Sequence, residues 1–184
     1  MKKLMLIVTL AFLGMVGKAQ EKINWMDFSE AIEASQKAPK KIFIDVYTDW
    51  CGWCKRMDQT TFQNPVIVKY MNEHFYAVKF DAERNDTIVF MGHTFTGATR
   101  SDGRKGAHQL AQALLQGKMS YPSYVLMNED ARILQVIGGY QDAKQFEPLI
   151  HFFGDDAYKI MSGEEFLKNF QSELTIINRA MTRQ

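Results

Sequence analysis

The chain has 184 residues, 46% of them hydrophobic, and its 22 Lys and Arg stand against 21 Asp and Glu for a formal net charge of +1. That length suits one globular domain, since chains of about 100 to 200 residues usually build a single core. The near-neutral balance argues against a nucleic-acid partner, which calls for basic residues clustered on one face.

The chain opens with Met1, Lys2 and Lys3, then an apolar run from Leu4 to Val16, then Gly17, Lys18 and Ala19. This is the charged, apolar, small-residue order of a secretory signal peptide, with cleavage expected after Ala19. The run falls short of the roughly 20 residues that a membrane-spanning helix needs. No cysteine follows it to take a lipid, and nothing later is apolar enough to span a membrane. A periplasmic or otherwise secreted location is therefore expected, with residues 1–19 removed and residues 20–184 forming one domain. Loss of Lys2, Lys3 and Lys18 would tip the charge balance slightly to the acidic side.

Asn24 to Ala38 reads as a first helix, with Asp27 and Glu30 as a capping box and Phe28, Ala31, Ile32 and Ser35 sharing a face. Pro39 ends it. Lys41 to Tyr47 is a β-branched and aromatic run, too short for a helix and typical of a buried central strand, in which Asp45 is a conspicuous anomaly. After the cysteines a helix is expected through Lys55, Met57 and Asp58 towards Phe62, interrupted at Asn64-Pro65 and resumed over Val66 to Glu73. Phe75 to Phe80 is a second strand, and the order strand, helix, strand implies a parallel βαβ unit. From Asp81 to Gly106, four glycines (Gly92, Gly97, Gly103 and Gly106) punctuate a polar stretch that reads as a long loop with room for a small hairpin. Ala107 to Gln116 is a helix with Leu110, Ala113 and Leu114 on one side and Gly117 as its stop. Ser123 to Met127 and Arg132 to Ile137 are strands joined by the turn Asn128-Glu129-Asp130-Ala131. Asp142 opens a helix through Phe146, Leu149, Ile150 and Phe153. Ser162 and Glu165 form the capping box of a last helix that ends near Phe170.

The two cysteines, Cys51 and Cys54, enclose Gly52 and Trp53. Cysteines of an exported protein usually form a structural bridge. A bridge stabilises mainly by closing a loop of the unfolded chain, however, and a loop this short restricts very little. The pair must be justified by reactivity or by metal. Its position between a strand and a helix is where a C-x-x-C pair becomes a redox site. At a helix start, unsatisfied N–H groups and the positive end of the dipole favour thiolate over thiol, drawing a cysteine from about 8.5 to between about 3.5 and 7.5. Cys51 is thus the candidate nucleophile, exposed and acidified. Cys54, one turn further in, should be more buried and positioned to resolve. Zinc would want two more Cys or His ligands, usually as a second close pair, whereas His74, His93, His108 and His151 are scattered and read as surface or loop residues. Gly97 to Lys105 fails the spacing of a phosphate loop, and no strand leads into it.

The stretch from Phe43 to Lys55, a strand bearing an Asp and then Trp50-Cys51-Gly52-Trp53-Cys54-Lys55, resembles the thioredoxin family. The resemblance covers roughly Lys41 to Phe153. It implies a thioredoxin-like α/β fold, a central mixed β-sheet flanked by helices, with an inserted loop over 81–106 and an extra C-terminal helix within 154–184. It also implies that Asp45, six residues before Cys51, lies buried beneath Cys54 and helps to move its proton. Lys79, in Val78-Lys79-Phe80-Asp81, matches the family Lys beside that Asp, although a strand-end Lys is by itself usually a solvated side chain. Tyr121-Pro122-Ser123 matches the cis-proline loop that lies against the sulfurs and pairs its backbone with an extended substrate. Gly138-Gly139-Tyr140 matches the glycine turn bordering that surface. Substrate contact is therefore expected from Trp50, Gly52, Trp53, Tyr121, Pro122 and Gly139, with Trp50 packed and Trp53 exposed beside Cys51. Trp53 stands where thioredoxins commonly carry Pro, and Tyr121 is a bulky neighbour for Pro122. With Trp25 and Met57, the chain looks closer to bacterial envelope thioredoxin-like proteins than to the cytosolic enzyme.

The resemblance implies thiol:disulfide exchange on protein disulfides, expected to run as a reductase without cofactor or metal. A reductase in an oxidising envelope needs its own electron donor, a membrane protein, and a monomer is expected because nothing in the sequence advertises an interface. Disulfide formation uses the same residues, and the sequence does not decide the direction. Two other readings stay open: a binding module that docks a partner through the 81–106 insertion, and a metal-handling thioredoxin relative.

Overall fold

The computed structural model describes residues 20–181, so the expected signal segment, residues 1–19, lies outside the described residues. Trp25–Met26 form a short strand, β1, followed by α1 (Phe28–Lys37). The helix expected over 24–38 starts later because Trp25 and Met26 pair in parallel with Ala77 and Val78, which claims their backbone for the sheet edge. Asp27 caps α1 as expected, accepting from the Ser29 N–H at 3.0 Å while Glu30 accepts from the Asp27 N–H at 3.2 Å.

Next come β2 (Lys41–Tyr47), α2 (Gly52–Gln59), a 3₁₀ turn (Thr61–Gln63), α3 (Pro65–His74) and β3 (Phe75–Asp81). Asn64 accepts from the Val66 N–H at 3.0 Å, and Pro65 takes the first helical position, where a missing N–H costs nothing. Strands β2 and β3 run parallel, in register from Lys41↔Phe75 to Tyr47↔Asp81, as the βαβ reading requires.

Residues 81–106 are more ordered than a loop. Strands β4 (Thr87–Phe90) and β5 (His93–Thr96) form one hairpin, and β6 (Ala98–Thr99) and β7 (Lys105–Gly106) a smaller one. The first turns on Met91 and Gly92, whose φ values of 49° and 77° are the paired left-handed conformations that a two-residue hairpin loop needs. Gly97 is required by close approach: a Cβ there would fall 2.6 Å from the Arg84 carbonyl oxygen. Helix α4 (Gln109–Leu114) is shorter than expected because His108 caps it, Nδ1 accepting from the Leu110 N–H at 3.1 Å. That leaves the proton on Nε2, which donates to the Asp86 carbonyl at 3.1 Å, while the His108 N–H donates to the Ala82 carbonyl at 2.7 Å. His108 is therefore a buried pin between β3, the insertion and α4, and not the surface residue expected.

Strands β8 (Ser123–Met127) and β9 (Ile133–Gly138) form the expected hairpin, its turn tied by Asn128 Oδ1, which accepts from the N–H groups of Asp130 and Arg132. Asp142 and Gln145 box the start of α5 (Ala143–Gly154). Ser162 starts α6 (Gly163–Asn169), accepting from the Glu165 N–H at 3.2 Å, which is half of the expected box. A further helix, α7 (Glu173–Met181), follows that the sequence did not announce. The buried carboxylate of Glu147 in α5 holds its start, accepting from Ser172 Oγ at 2.5 Å and from the Glu173 N–H at 2.7 Å.

The main sheet has the order β1-β3-β2-β8-β9, parallel on one side of β2 and antiparallel on the other. Alternation along β2 sends Ile42, Ile44 and Val46 to a core with Phe28, Ala31, Leu110 and Leu114 of α1 and α4. The same alternation turns Phe43, and with it Asp45, towards Met57, Ile67, Met71 and Phe146 of α2, α3 and α5. Burial on both faces explains the unbroken apolar character of the strand. Among the described residues no helix is long and apolar enough to cross a membrane.

The pin is testable. His108→Leu leaves the Leu110 N–H and the Asp86 carbonyl without partners and should lower stability by about 1 to 3 kcal/mol in denaturant unfolding. Amide exchange across 86–98 should accelerate selectively, and unchanged protection there would count against the pin.

Candidate active site

The chain leaves β2 at Tyr47 and turns directly into α2. Cys51 is the N-cap of that helix, with φ −73° and ψ 102°, and its Sγ accepts from the Cys54 N–H at 3.1 Å. A sulfur thus fills the role usually played by a Ser, Thr, Asp or Asn oxygen. Cys51 and Cys54 are joined in a disulfide with an S–S distance of 2.11 Å and Cα atoms 5.3 Å apart. Both are buried, at 4% and 3% exposure. In this oxidised form Cys51 is therefore buried and not exposed as expected, because its bond to Cys54 and the helix N–H group both draw its sulfur inward.

Aromatic side chains flank the pair. Trp50 is 66% exposed, contrary to the packed position expected. Its indole Nε1 donates to Glu83 Oε1 at 3.1 Å, which holds the ring out on the surface, where it meets Tyr121 edge to face at 5.7 Å. Trp53 is 58% exposed, as expected, and leans on Tyr140 at 5.3 Å, with the Arg56 guanidinium 5.9 Å from each of these rings. A Cβ on Gly52 would meet nothing within 4 Å, so this residue leaves the space between the two tryptophans open.

The Tyr121-Pro122 bond is cis. The Pro122 carbonyl accepts from the Gly139 N–H at 2.8 Å, and the Gly139 carbonyl accepts from the Tyr124 hydroxyl at 2.9 Å. Gly139 makes both contacts from a φ of 98°, a conformation that favours glycine. The proline loop and the glycine turn are thus one unit, and the Tyr121 ring brings it against Trp50.

On the α2 side of the sheet lies a charge cluster around the buried Asp45. Asp45 and Lys79 are register partners on β2 and β3, and Lys79 Nζ donates to Asp45 Oδ2 at 2.6 Å. Lys79 is not a solvated strand end. It also pairs with Asp58, which stands four residues beyond Cys54 and hence on the same face of α2. Its ammonium lies 5.0 Å from the rings of Trp25 and Tyr47 and 5.4 Å from that of Phe62. Burial raises the pKa of Asp45 to about 6, with Lys79 pulling it down and Asp58 pushing it up. Burial acts to lower the pKa of Lys79, but Asp45 and Asp58 together raise it. Asp45 Oδ1 has no hydrogen-bond partner among the described residues. Near neutral pH this carboxylate is thus poised to exchange a proton while the ammonium stays charged.

The structure therefore assembles the sequence-predicted residues in two groups linked by α2. Trp50, Gly52, Trp53 and Tyr121 make the surface over the buried Cys51 and Cys54, with Pro122 and Gly139 behind Tyr121, and Asp45 with Lys79 make the charge cluster. Asp58, Glu83 and Arg56 were not anticipated, and Tyr140 was expected only as part of the bordering turn. Asp58 alone carried a signal, the helical spacing from Cys54. Among the described residues no group of three or more His, Cys, Asp or Glu side chains stands close enough to hold a metal ion.

A mixed sheet of this order, with a disulfide at the start of α2 and a cis-proline loop beside it, defines a thioredoxin-fold dithiol protein. The family model Thioredox_DsbH, described as "Protein of unknown function, DUF255", matches residues 12–140, and the chain belongs to that family. Spermatogenesis-associated protein 20 of Homo sapiens is 34% identical over 86 residues, 46% of this chain and 11% of that protein. Thiol:disulfide interchange protein DsbD of Vibrio vulnificus is 27% identical over 62 residues, 34% of this chain and 10% of that protein. The chain thus spans about a tenth of the length of these relatives. Among solved structures, one titled "DsbH Oxidoreductase" superposes with a TM-score of 0.53 at 19% identity, covering 78% of this chain and 89% of that one. A thioredoxin-fold protein from Helicobacter pylori gives 0.53 at 20% identity, covering 70% and 78%. These likenesses show the fold.

The buried carboxylate has a measurable signature in the oxidised protein. Between the ordinary value of 3.8 and about 6, folded Asp45 holds a proton that the unfolded chain has released. The stability it contributes is therefore complete below 3.8 and is lost as the pH rises through about 6. The loss should amount to about 3 kcal/mol. Denaturant unfolding from about pH 4 to about pH 7 should show this decline in the wild type relative to Asp45→Asn. Parallel profiles would contradict the assignment.

Proposed function

We propose that this protein is a thiol:disulfide oxidoreductase acting on protein disulfides, and that it works as a reductase in the cell envelope. The observation that carries the reading is the Cys51–Cys54 disulfide with Cys51 as helix N-cap. In the reduced form the Cys51 sulfur faces the positive end of α2, which stabilises its thiolate. That thiolate attacks one sulfur of a substrate disulfide, forming a Cys51–substrate mixed disulfide and releasing the other substrate sulfur as a thiolate that takes up a proton. Cys54 then gives up its proton and attacks Cys51 Sγ, closing the Cys51–Cys54 bond and releasing the second substrate thiol. Two electrons have passed from the dithiol to the substrate.

Asp45 serves the second step. It faces the α2 side of the sheet and shares Lys79 with Asp58, one turn beyond Cys54. With a pKa of about 6 it is mostly ionised near neutral pH and can accept the proton of Cys54. The cis-proline loop supplies backbone for an extended substrate segment. The N-terminal signal order supports an envelope location, and the likeness to a segment of a thiol:disulfide interchange protein supports exchange with a dithiol donor that re-reduces Cys51 and Cys54.

With dithiothreitol as electron source, wild type should accelerate insulin reduction, and Cys51→Ser should reduce the rate by roughly a hundredfold or more. Cys54→Ser should accumulate a mixed disulfide through Cys51. Equal insulin-reduction rates for wild type and Cys51→Ser would remove the reading. A reductase should show a potential near the thioredoxin value of about −270 mV, and one near about −120 mV would assign disulfide formation instead.

A further inference from the structure

The surface around the disulfide is chemically unlike on its two sides. On one side Trp50 donates to Glu83 at 3.1 Å and stacks edge to face on Tyr121. The carboxylates of Glu83 and Asp81 act on the Tyr121 hydroxyl, and exposed Asp49 precedes Trp50. Every charge named there is negative. On the other side, Trp53 and Tyr140 share the Arg56 guanidinium at 5.9 Å. An open groove of about 420 Å³ runs beside them, lined by Gly52, Trp53, Lys55, Arg56 and Gln59, so that its only charged side chains are cations. Cys51 follows Trp50 and Cys54 follows Trp53 in the chain, and the open face of Gly52 adds no side chain between the two tryptophans.

We propose that this surface selects its substrate by charge order: a polypeptide segment with a basic side chain towards Trp50 and Glu83 and an acidic side chain towards Trp53 and Arg56, on either side of the attacked cysteine. The inference rests on the oxidoreductase reading. The aromatic pairs supply flat apolar area that any extended segment can use, backbone pairing with the cis-proline loop sets the direction in which it runs, and the opposed charges then select the order of its charged side chains. A reversed segment brings like charges together at both ends, which slows encounter and weakens docking.

The test uses two synthetic peptides of identical composition, each with one cysteine in a mixed disulfide with 2-mercaptoethanol, a neutral leaving group. One carries Lys before and Glu after the cysteine, and the other carries them in reverse. Pre-reduced full-length protein is mixed with each, and release of the peptide thiol is followed in a single turnover. Each exchange consumes the dithiol, yields peptide thiol and 2-mercaptoethanol, and leaves the Cys51–Cys54 disulfide. One order should react about threefold to tenfold faster at low ionic strength, the range that two exposed ion pairs can supply, and the difference should shrink in high salt. The preference should invert in the double variant Arg56→Glu, Glu83→Lys. It should vanish in Arg56→Gln, Glu83→Gln, where the new amide oxygen keeps an acceptor for the Trp50 indole. Equal wild-type rates for the two peptides, or a preference that survives both double variants, would overturn the charge-order proposal and leave the oxidoreductase reading intact. Failure to reduce either peptide would overturn that reading and this proposal together.

Discussion

At the start of α2 a sulfur does what an oxygen does in most helices. The Cys51 Sγ accepts from the Cys54 N–H at 3.1 Å, so the group that caps the helix is also the proposed nucleophile. Capping puts it at the positive end of the helix dipole, a position that favours negative charge on sulfur. The placement is possible because β2 is locked between β3 and β8, buried on both faces, and delivers the chain to the helix at a fixed point. The disulfide, the flanking tryptophans and the cis-proline loop are all arranged around that point.

Behind it, one ammonium serves two carboxylates. Lys79 joins Asp45 on the strand to Asp58 on the helix, and three aromatic rings surround it. Burial pushes Asp45 up to about 6 against the pull of Lys79. The cluster therefore ties α2 to the sheet. Since Cys54 and Asp58 share a helical face, a shift of α2 on reduction would reach both the sulfur and the ion pair.

What could be read in the sequence was whatever local chemistry decides. Asp27 with Glu30, Asn64-Pro65 and Asp142 mark helix starts through bonds made within a few residues, and the apolar run of β2 announces a central strand by itself. The Cys spacing, Asp45 and the Tyr121-Pro122 loop were recognisable for the same reason, through short motifs. Features set by distant partners were not. Two-residue β1 exists only because the β3 edge accepts it. The β4–β5 turn places Met91 at a positive φ where Asn or Asp would have signalled a hairpin. Helix α7 is started by Glu147, and His108 is buried because Ala82 and Asp86 converge on it. Trp50 was expected to pack, and a hydrogen bond to Glu83 on another element holds it outside.

The most direct measurement of the central claim is the pH dependence of thiol alkylation in the reduced protein. Iodoacetamide should label Cys51 with an apparent pKa well below the free-thiol value of about 8.5, with Cys54 protected, as mass mapping of each cysteine would show. Labelling of Cys51 that begins only above that value, or equal labelling of both cysteines, would contradict the account.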